Sequence, residues 1–221
     1  MSYEGYALKD LLMDSYEELQ KRYDDNDKGS EPIGFETIEI KLNSAFDFFK
    51  KGGLYMLSGA VPRDNRECLM SMAIANIADF KSTRKVLVFL RKTDLQEWGM
   101  QLLSYASDVP MKKIRKGDFE TDDWRSFAAA TGDLAEVGVH LYESVDELND
   151  CVSYCRAQYK AGNCFDVVVI DGLTLQEATD LDDGGEVRQY LSALAKDLQV
   201  SIVTSSPTYK GKKKPMLERV F

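Results

Sequence analysis

Hydrophobic positions along the chain follow two spacings. Across residues 7–23, Leu8, Leu11, Leu12, Ser15, Tyr16 and Leu19 recur at helical intervals with acidic and basic residues between them, which predicts an amphipathic helix. Residues 24–32 are polar, charged and punctuated by Gly and Pro, the composition of a linker. From Gly34 onward, short apolar runs alternate with amphipathic segments. Strands are predicted at 54–58, 86–90, 139–142, 167–170 and 200–204. Helices are predicted at 68–80, 94–105, 122–131, 145–161 and 186–198. The 122–131 helix opens on a cap-like Thr121-Asp122-Asp123, and the 145–161 helix ends at Gly162. Apolar strands separated by helices imply an α/β fold, a mainly parallel sheet with helices on both faces. Three segments result: a linker-type helix at 1–24, a linker at 25–33, and one domain at 34–221.

Composition narrows the class. With 221 residues, 44% hydrophobic and 29% charged, the chain can bury a full core and is not expected to be disordered. Its net charge of −9 argues against a surface that grips nucleic acid all over. No run approaches the roughly 18 apolar residues of a membrane span, so no membrane partner is expected. Residues 1–14 lack a basic region followed by an apolar run, so no secretory leader is expected either. A cytoplasmic location follows, with Cys68, Cys151, Cys155 and Cys164 as free thiols. A structural zinc site needs about four ligands, and the single histidine, His140, falls on a different element from the cysteines. The cysteines read as small core residues.

The first strand of the domain leads through residues 59–67 directly into a helix, the place where a phosphate-binding loop sits in such sheets. A working loop reads G-x-x-x-x-G-K-S/T. Here the run is Gly59-Ala60-Val61-Pro62-Arg63-Asp64-Asn65-Arg66-Glu67. Asn65 stands at the second glycine, Arg66 at the lysine and Glu67 at the magnesium-binding hydroxyl. Asn65 tolerates left-handed angles, but its side chain fills space the phosphates need. Arg66 keeps the charge on a bulkier fork. Glu67 would face the triphosphate, and each unit-charge repulsion at 4 Å costs about 4 kcal/mol at an effective dielectric near 20.

The order of segments resembles the C-terminal motor domain of the DnaB-family replicative helicases, with its preceding linker helix. Residues 8–23 resemble the linker helix. Gly34-Phe35 with Thr37-Ile38-Glu39 resembles the opening GF-x-x-(I/L)-(D/E). Residues 53–78 resemble the first strand, phosphate loop and first helix. IRKGDFETDDW at 114–124 and VVVIDGLTL at 167–175 resemble the family's LR-x-G segment and its magnesium-site strand. Residues 186–198 resemble the helix before the sensor strand, and Ser205 onward resembles that strand and a DNA-facing loop. The resemblance implies a RecA-like P-loop NTPase fold.

It also implies which groups have changed. The water-activating glutamate of strand two falls at Arg91, which cannot act as a general base. The sensor glutamine falls near Ser206. Asp171 remains as the magnesium-strand carboxylate, although an aspartate at a strand end is also a common turn former or helix cap. The arginine finger would fall beyond Phe221. Loss of loop, base, sensor and finger together is hard to reconcile with phosphoryl transfer. No cofactor is therefore expected; ATP and magnesium would enter only if the chain were an active helicase with divergent residues.

Two further tracts bear on partners. Lys210, Lys212, Lys213 and Lys214 lie beside Tyr209 and suit weak, sequence-tolerant contact with single-stranded DNA; a solvated tail is the alternative. Residues 180–185 form an acidic, glycine-containing loop that would repel a DNA backbone. The apolar face of the first helix, Leu8, Leu11, Leu12, Tyr16 and Leu19, either packs on its own domain or binds a partner: a replicative helicase, a loader or a second copy. The favoured expectation is a catalytically inactive helicase-like accessory of DNA replication. An ATP-dependent helicase, a single-stranded DNA-binding module and a remnant without selected activity are the alternatives.

Overall fold

The computed structural model describes residues 5–26, 51–58, 85–91, 94–143, 145, 147–183, 185–205 and 216–220. A short strand β1 (Gly5–Ala7) leads into helix α1 (Leu8–Asn26). Strand β2 (Leu54–Ser58) and strand β3 (Lys85–Leu90) follow, then helices α2 (Leu95–Ser107), α3 (Met111–Lys116) and α4 (Thr121–Ala135). The chain continues through β4 (Gly138–Glu143), α5 (Leu148–Lys160), β5 (Val167–Asp171), α6 (Leu175–Asp182), α7 (Glu186–Leu198), β6 (Ser201–Ser205) and β7 (Met216–Val220).

These strands form one sheet in the order β1-β4-β3-β5-β6-β2-β7. The five inner strands are parallel, and β1 and β7 are antiparallel edges. Side chains alternate between faces along a strand, so β3 and β5 feed two cores. Val86, Val88, Leu90, Val167 and Val169 meet α1–α4 on one side. Leu87, Phe89, Val168 and Ile170 meet α5 and α7 on the other, with Leu181 of α6. The expected parallel sheet with helices on both faces is what the structure has.

Cap chemistry fixes the helix ends. Asp94 caps α2 by accepting the Glu97 main-chain N–H at 2.9 Å. Helix α4 starts one residue earlier than expected, because Glu120 and not Thr121 is the cap. The Glu120 N–H donates to Asp123 at 2.8 Å, one half of a reciprocal capping box. Gly117, at φ 68°, closes α3 in the left-handed region.

Helix α1 runs to Asn26, past the expected boundary. It is not a separate unit. Leu8, Leu11, Leu12 and Leu19 are at most 2% exposed and belong to the same core as β3, α2 and α4. Each such leucine contributes roughly 1.5–3 kcal/mol of transfer free energy. Tyr16 sets its ring edge against Trp124 at 5.5 Å, and Tyr23 stacks on Phe119 at 6.1 Å. The crossing with α2 is close: a Cβ on Gly99 would fall 2.2 Å from Ser15 Oγ. Of the two destinations open to this apolar face, the structure shows the chain's own domain. Leu8, Leu11, Leu12, Tyr16 and Leu19 are therefore not presented to a partner in this arrangement.

Candidate functional site

Register brings the carboxyl ends of the parallel strands to one edge. Leu90 pairs with Asp171, Ile170 with Thr204, and Leu57 with Ser205. The loop after β2 starts there, but Ala60, Asn65, Arg66 and Glu67 lie outside the described residues, as do Ser206 and Lys210, Lys212, Lys213 and Lys214. The four lysines fall between Ser205 and Met216 in the chain, and β7 pairs with β2, Met216 opposite Ser58. Both described ends of that connection stand at the carboxyl edge.

Arg91 follows β3 directly. Its main-chain N–H donates to the Asp171 carbonyl at 3.3 Å. Its side chain is 2% exposed. The guanidinium forks onto Glu177, Nη1 to Oε2 at 2.9 Å and Nη2 to Oε1 at 3.1 Å. Two-pronged pairing of this kind fixes geometry as well as charge. Glu177 is held in turn by the start of α6. Its Oε2 accepts the Thr174 N–H at 2.7 Å, while the Glu177 N–H donates to Thr174 Oγ1 at 3.2 Å, a second capping box. Burial pushes the Glu177 carboxyl up, but Arg91 and the Thr174 donors outweigh it and hold the group below its ordinary value.

Asp171 ends β5 and is 1% exposed. Next to it, the Thr204 hydroxyl donates to the Ile170 carbonyl at 3.0 Å. Among the described residues no group of three or more His, Cys, Asp or Glu is arranged to hold a metal. At this edge Asp171 ends β5, Glu143 ends β4 opposite the same Leu90, and Glu177 is taken by Arg91. Arg91, where the resemblance implies a base, turns its prongs onto Glu177. A guanidinium cannot take a proton from water.

Glu177 was absent from the sequence expectations. Its signal was the Thr174-x-x-Glu177 spacing, which marks a helix start. The acidic loop also needs correction. Helix α6 extends through Asp182 and buries Leu181. Asp180 accepts the Val187 N–H and so caps α7. One of the three carboxylates expected to repel DNA is thus a structural cap. Cys151 and Cys155 are buried in the second core. Burial pushes the Cys151 thiol up to about 12 and Cys155 higher still, so both are inert core thiols, as expected.

Comparison with known proteins decides the family. The description "DnaB-like helicase C terminal domain" matches residues 34–218. The chain belongs to this family. The replicative DNA helicase DnaB of Leifsonia xyli is 25% identical over 186 residues, covering 81% of this chain and 39% of that protein. The DnaB of Haemophilus influenzae is 25% identical over 159 residues, covering 66% and 34%. The chain thus spans about a third to two fifths of these relatives. Among solved structures, a DnaB-like replicative helicase described with its interactions with primase has a TM-score of 0.58 at 17% identity, over 86% of this chain and 47% of that one. A solved ATPase domain gives 0.56 at 20% identity, over 72% and 58%. At such identities the structural likeness establishes the fold, which is RecA-like. Among the described residues no helix is long and apolar enough to cross a membrane.

Proposed function

We propose that this DnaB-type domain serves DNA replication through protein contacts and does not hydrolyse ATP. The carrying observation is the Arg91–Glu177 pair. Where the family resemblance places a water-activating glutamate, the chain has a buried guanidinium engaged at both ends. Glu67 in the loop sequence, a carboxylate in place of a magnesium-binding hydroxyl, supports the same reading. Family membership supports the replication part of the reading, since it ties the domain to replicative helicases. A scaffold that keeps its sheet, both cores and its first helix without its reaction groups is suited to binding. The partner this reading favours is a replicative helicase or a second copy, with single-stranded DNA as a weak additional ligand of Lys210, Lys212, Lys213 and Lys214.

Calorimetry with ATP and magnesium, joined to a phosphate-release assay on the purified chain, tests it. The expected result is no turnover and no tight, magnesium-dependent binding. Turnover that disappears on Arg66→Ala would overturn the proposal and establish the ATP-dependent reading.

A further inference from the structure

A cavity of about 290 Å³ opens between β4 and α5, on the sheet face opposite α1. It is separate from the Arg91–Asp171 edge and reaches the amino ends of β3 and β5. His140 and Tyr142 reach it from β4, two residues apart and so on one face of that strand. Tyr154 and Gln158 reach it from α5, and Lys85 and Phe165 from the strand beginnings.

Three features define what it would take. First, its walls are aromatic. His140 stands edge-on to Phe165 at 5.7 Å, and the Tyr142 and Tyr154 rings lie 4.3 Å apart. Second, its polar groups favour an anion. None of the described residues that line it is acidic, although the chain carries 37 acidic against 28 basic side chains. The neighbouring acid, Asp166, is engaged elsewhere: its Oδ2 accepts the Lys85 main-chain N–H at 3.0 Å and its Oδ1 lies 3.5 Å from Lys51 Nζ. Among the described residues the Lys85 ammonium has no carboxylate partner. Gln158 accepts the Asn163 amide through Oε1 at 2.7 Å, which leaves its own N–H groups as donors for a ligand. Third, the volume lies just below the roughly 300–1,000 Å³ of ligand sites, which limits the ligand to a small one. Burial and the Lys85 charge lower the His140 pKa, so at neutral pH its ring is an uncharged stacking surface.

We propose that this cavity binds a small planar aromatic anion. The ring sits between the His140–Phe165 and Tyr142–Tyr154 walls, and the carboxylate or phosphate lies on Lys85. Two sources share that chemistry, an aromatic carboxylate and a nucleoside monophosphate.

Cys164 provides the readout. It lines the cavity and is exposed, whereas Cys151 and Cys155 are buried. The rate of Cys164 alkylation by iodoacetamide, followed by peptide mass mapping, reports occupancy at this site and ignores nucleotide bound elsewhere. The probes are 4-hydroxyphenylacetate and adenosine 5′-monophosphate. Their controls are 4-hydroxyphenylacetamide, adenosine and inorganic phosphate. At ten times its Kd a ligand should slow alkylation about tenfold. Protection by the carboxylate assigns the site to aromatic acids, and protection by the monophosphate assigns it to nucleotides. Either must be lost in Lys85→Met, whose unfolding midpoint should match the parent because Lys85 is exposed. Three results would overturn the proposal: no protection by either anion at millimolar concentration, equal protection by the neutral analogues, or protection that persists in Lys85→Met.

Discussion

Replacing Glu177 by glutamine removes one charge and almost no volume. Glutamine retains a carbonyl oxygen for the Thr174 N–H, so the capping contact at 2.7 Å can persist while Arg91 loses its counter-ion. The guanidinium, 2% exposed, then loses the carboxylate that holds both of its prongs. Breaking a buried pair from one side costs roughly 3–5 kcal/mol. Glu177 itself is 19% exposed, so water offsets part of the loss and about 2–3 kcal/mol is the expected cost. With a urea slope of about 1–3 kcal/mol/M, the unfolding midpoint should fall by about 0.7–3 M. The companion variant Arg91→Leu/Glu177→Leu removes both charges, leaves no uncompensated ion, and should be less destabilised than Glu177→Gln alone. Equilibrium urea unfolding followed by tryptophan fluorescence measures the parent, Glu177→Gln, the single variants Arg91→Leu and Glu177→Leu, and the double variant. A loss below about 1 kcal/mol in Glu177→Gln, or a double variant that shows the plain sum of its single changes, would refute the claim that Arg91 is locked by charge.

The same pair sets an acid dependence. The folded Glu177 carboxyl titrates below the ordinary glutamate value of 4.5, so its contribution is complete above that pH and is lost as pH falls through the folded value; the stability gap between the parent and Glu177→Gln should be flat above pH 4.5 and shrink below it in urea titrations. Gly99→Ala places a methyl 2.2 Å from Ser15 Oγ and should cost about 1–3 kcal/mol, with part recovered by adding Ser15→Gly, as read by unfolding midpoints. In native protein at pH 8, Cys151 and Cys155 should resist a thiol reagent until urea unfolds the chain, because burial holds both thiols protonated; prompt modification of either in the folded state would contradict their burial.

What could be read from sequence depended on how far each signal extends along the chain. KVLVFL of β3 and VVVID of β5 announce strands covered on both faces, and their alternation assigns residues to two cores without further information. GYA of β1 is three residues with no apolar run, and its place is set by pairing with β4, a contact across more than a hundred residues. MKKIRK of α3 buries only Met111 and Ile114, too few for a periodic pattern. Helix α6 was hidden because the run after Leu181 reads as an acidic turn, while the buried Leu181 and the Asp180 cap belong to packing that sequence spacing does not display. The site divides in the same way. Position carried Arg91 and Asp171 to the strand ends, since register follows from the strands. The partner of Arg91 lies 86 residues away, and nothing local to Arg91 points to it.

The seat of α1 bears most directly on assembly. Four leucines, Ser15 and the two tyrosines are used within the chain's own domain. A second copy offering the same helix to the same seat would make the same contacts and gain nothing by them. The difference is one of concentration. A helix joined through residues 27–50 meets its own seat at an effective concentration on the order of millimolar. A free copy at micromolar concentration therefore competes at a disadvantage of roughly a thousandfold, about 4 kcal/mol. Exchange of α1 needs an additional surface worth that much, and a partner assembly that already holds neighbouring subunits in register can supply it. The isolated chain should consequently sediment as a monomer at about 10 μM, below the effective concentration of its own helix. The check mixes isotopically labelled and unlabelled chains and maps cross-links between α1 and α2. Links confined within one isotopic species fit own-domain seating. Abundant mixed links at that concentration would show that the helix exchanges without help, and that the contacts seen here are not the ones that decide where it binds.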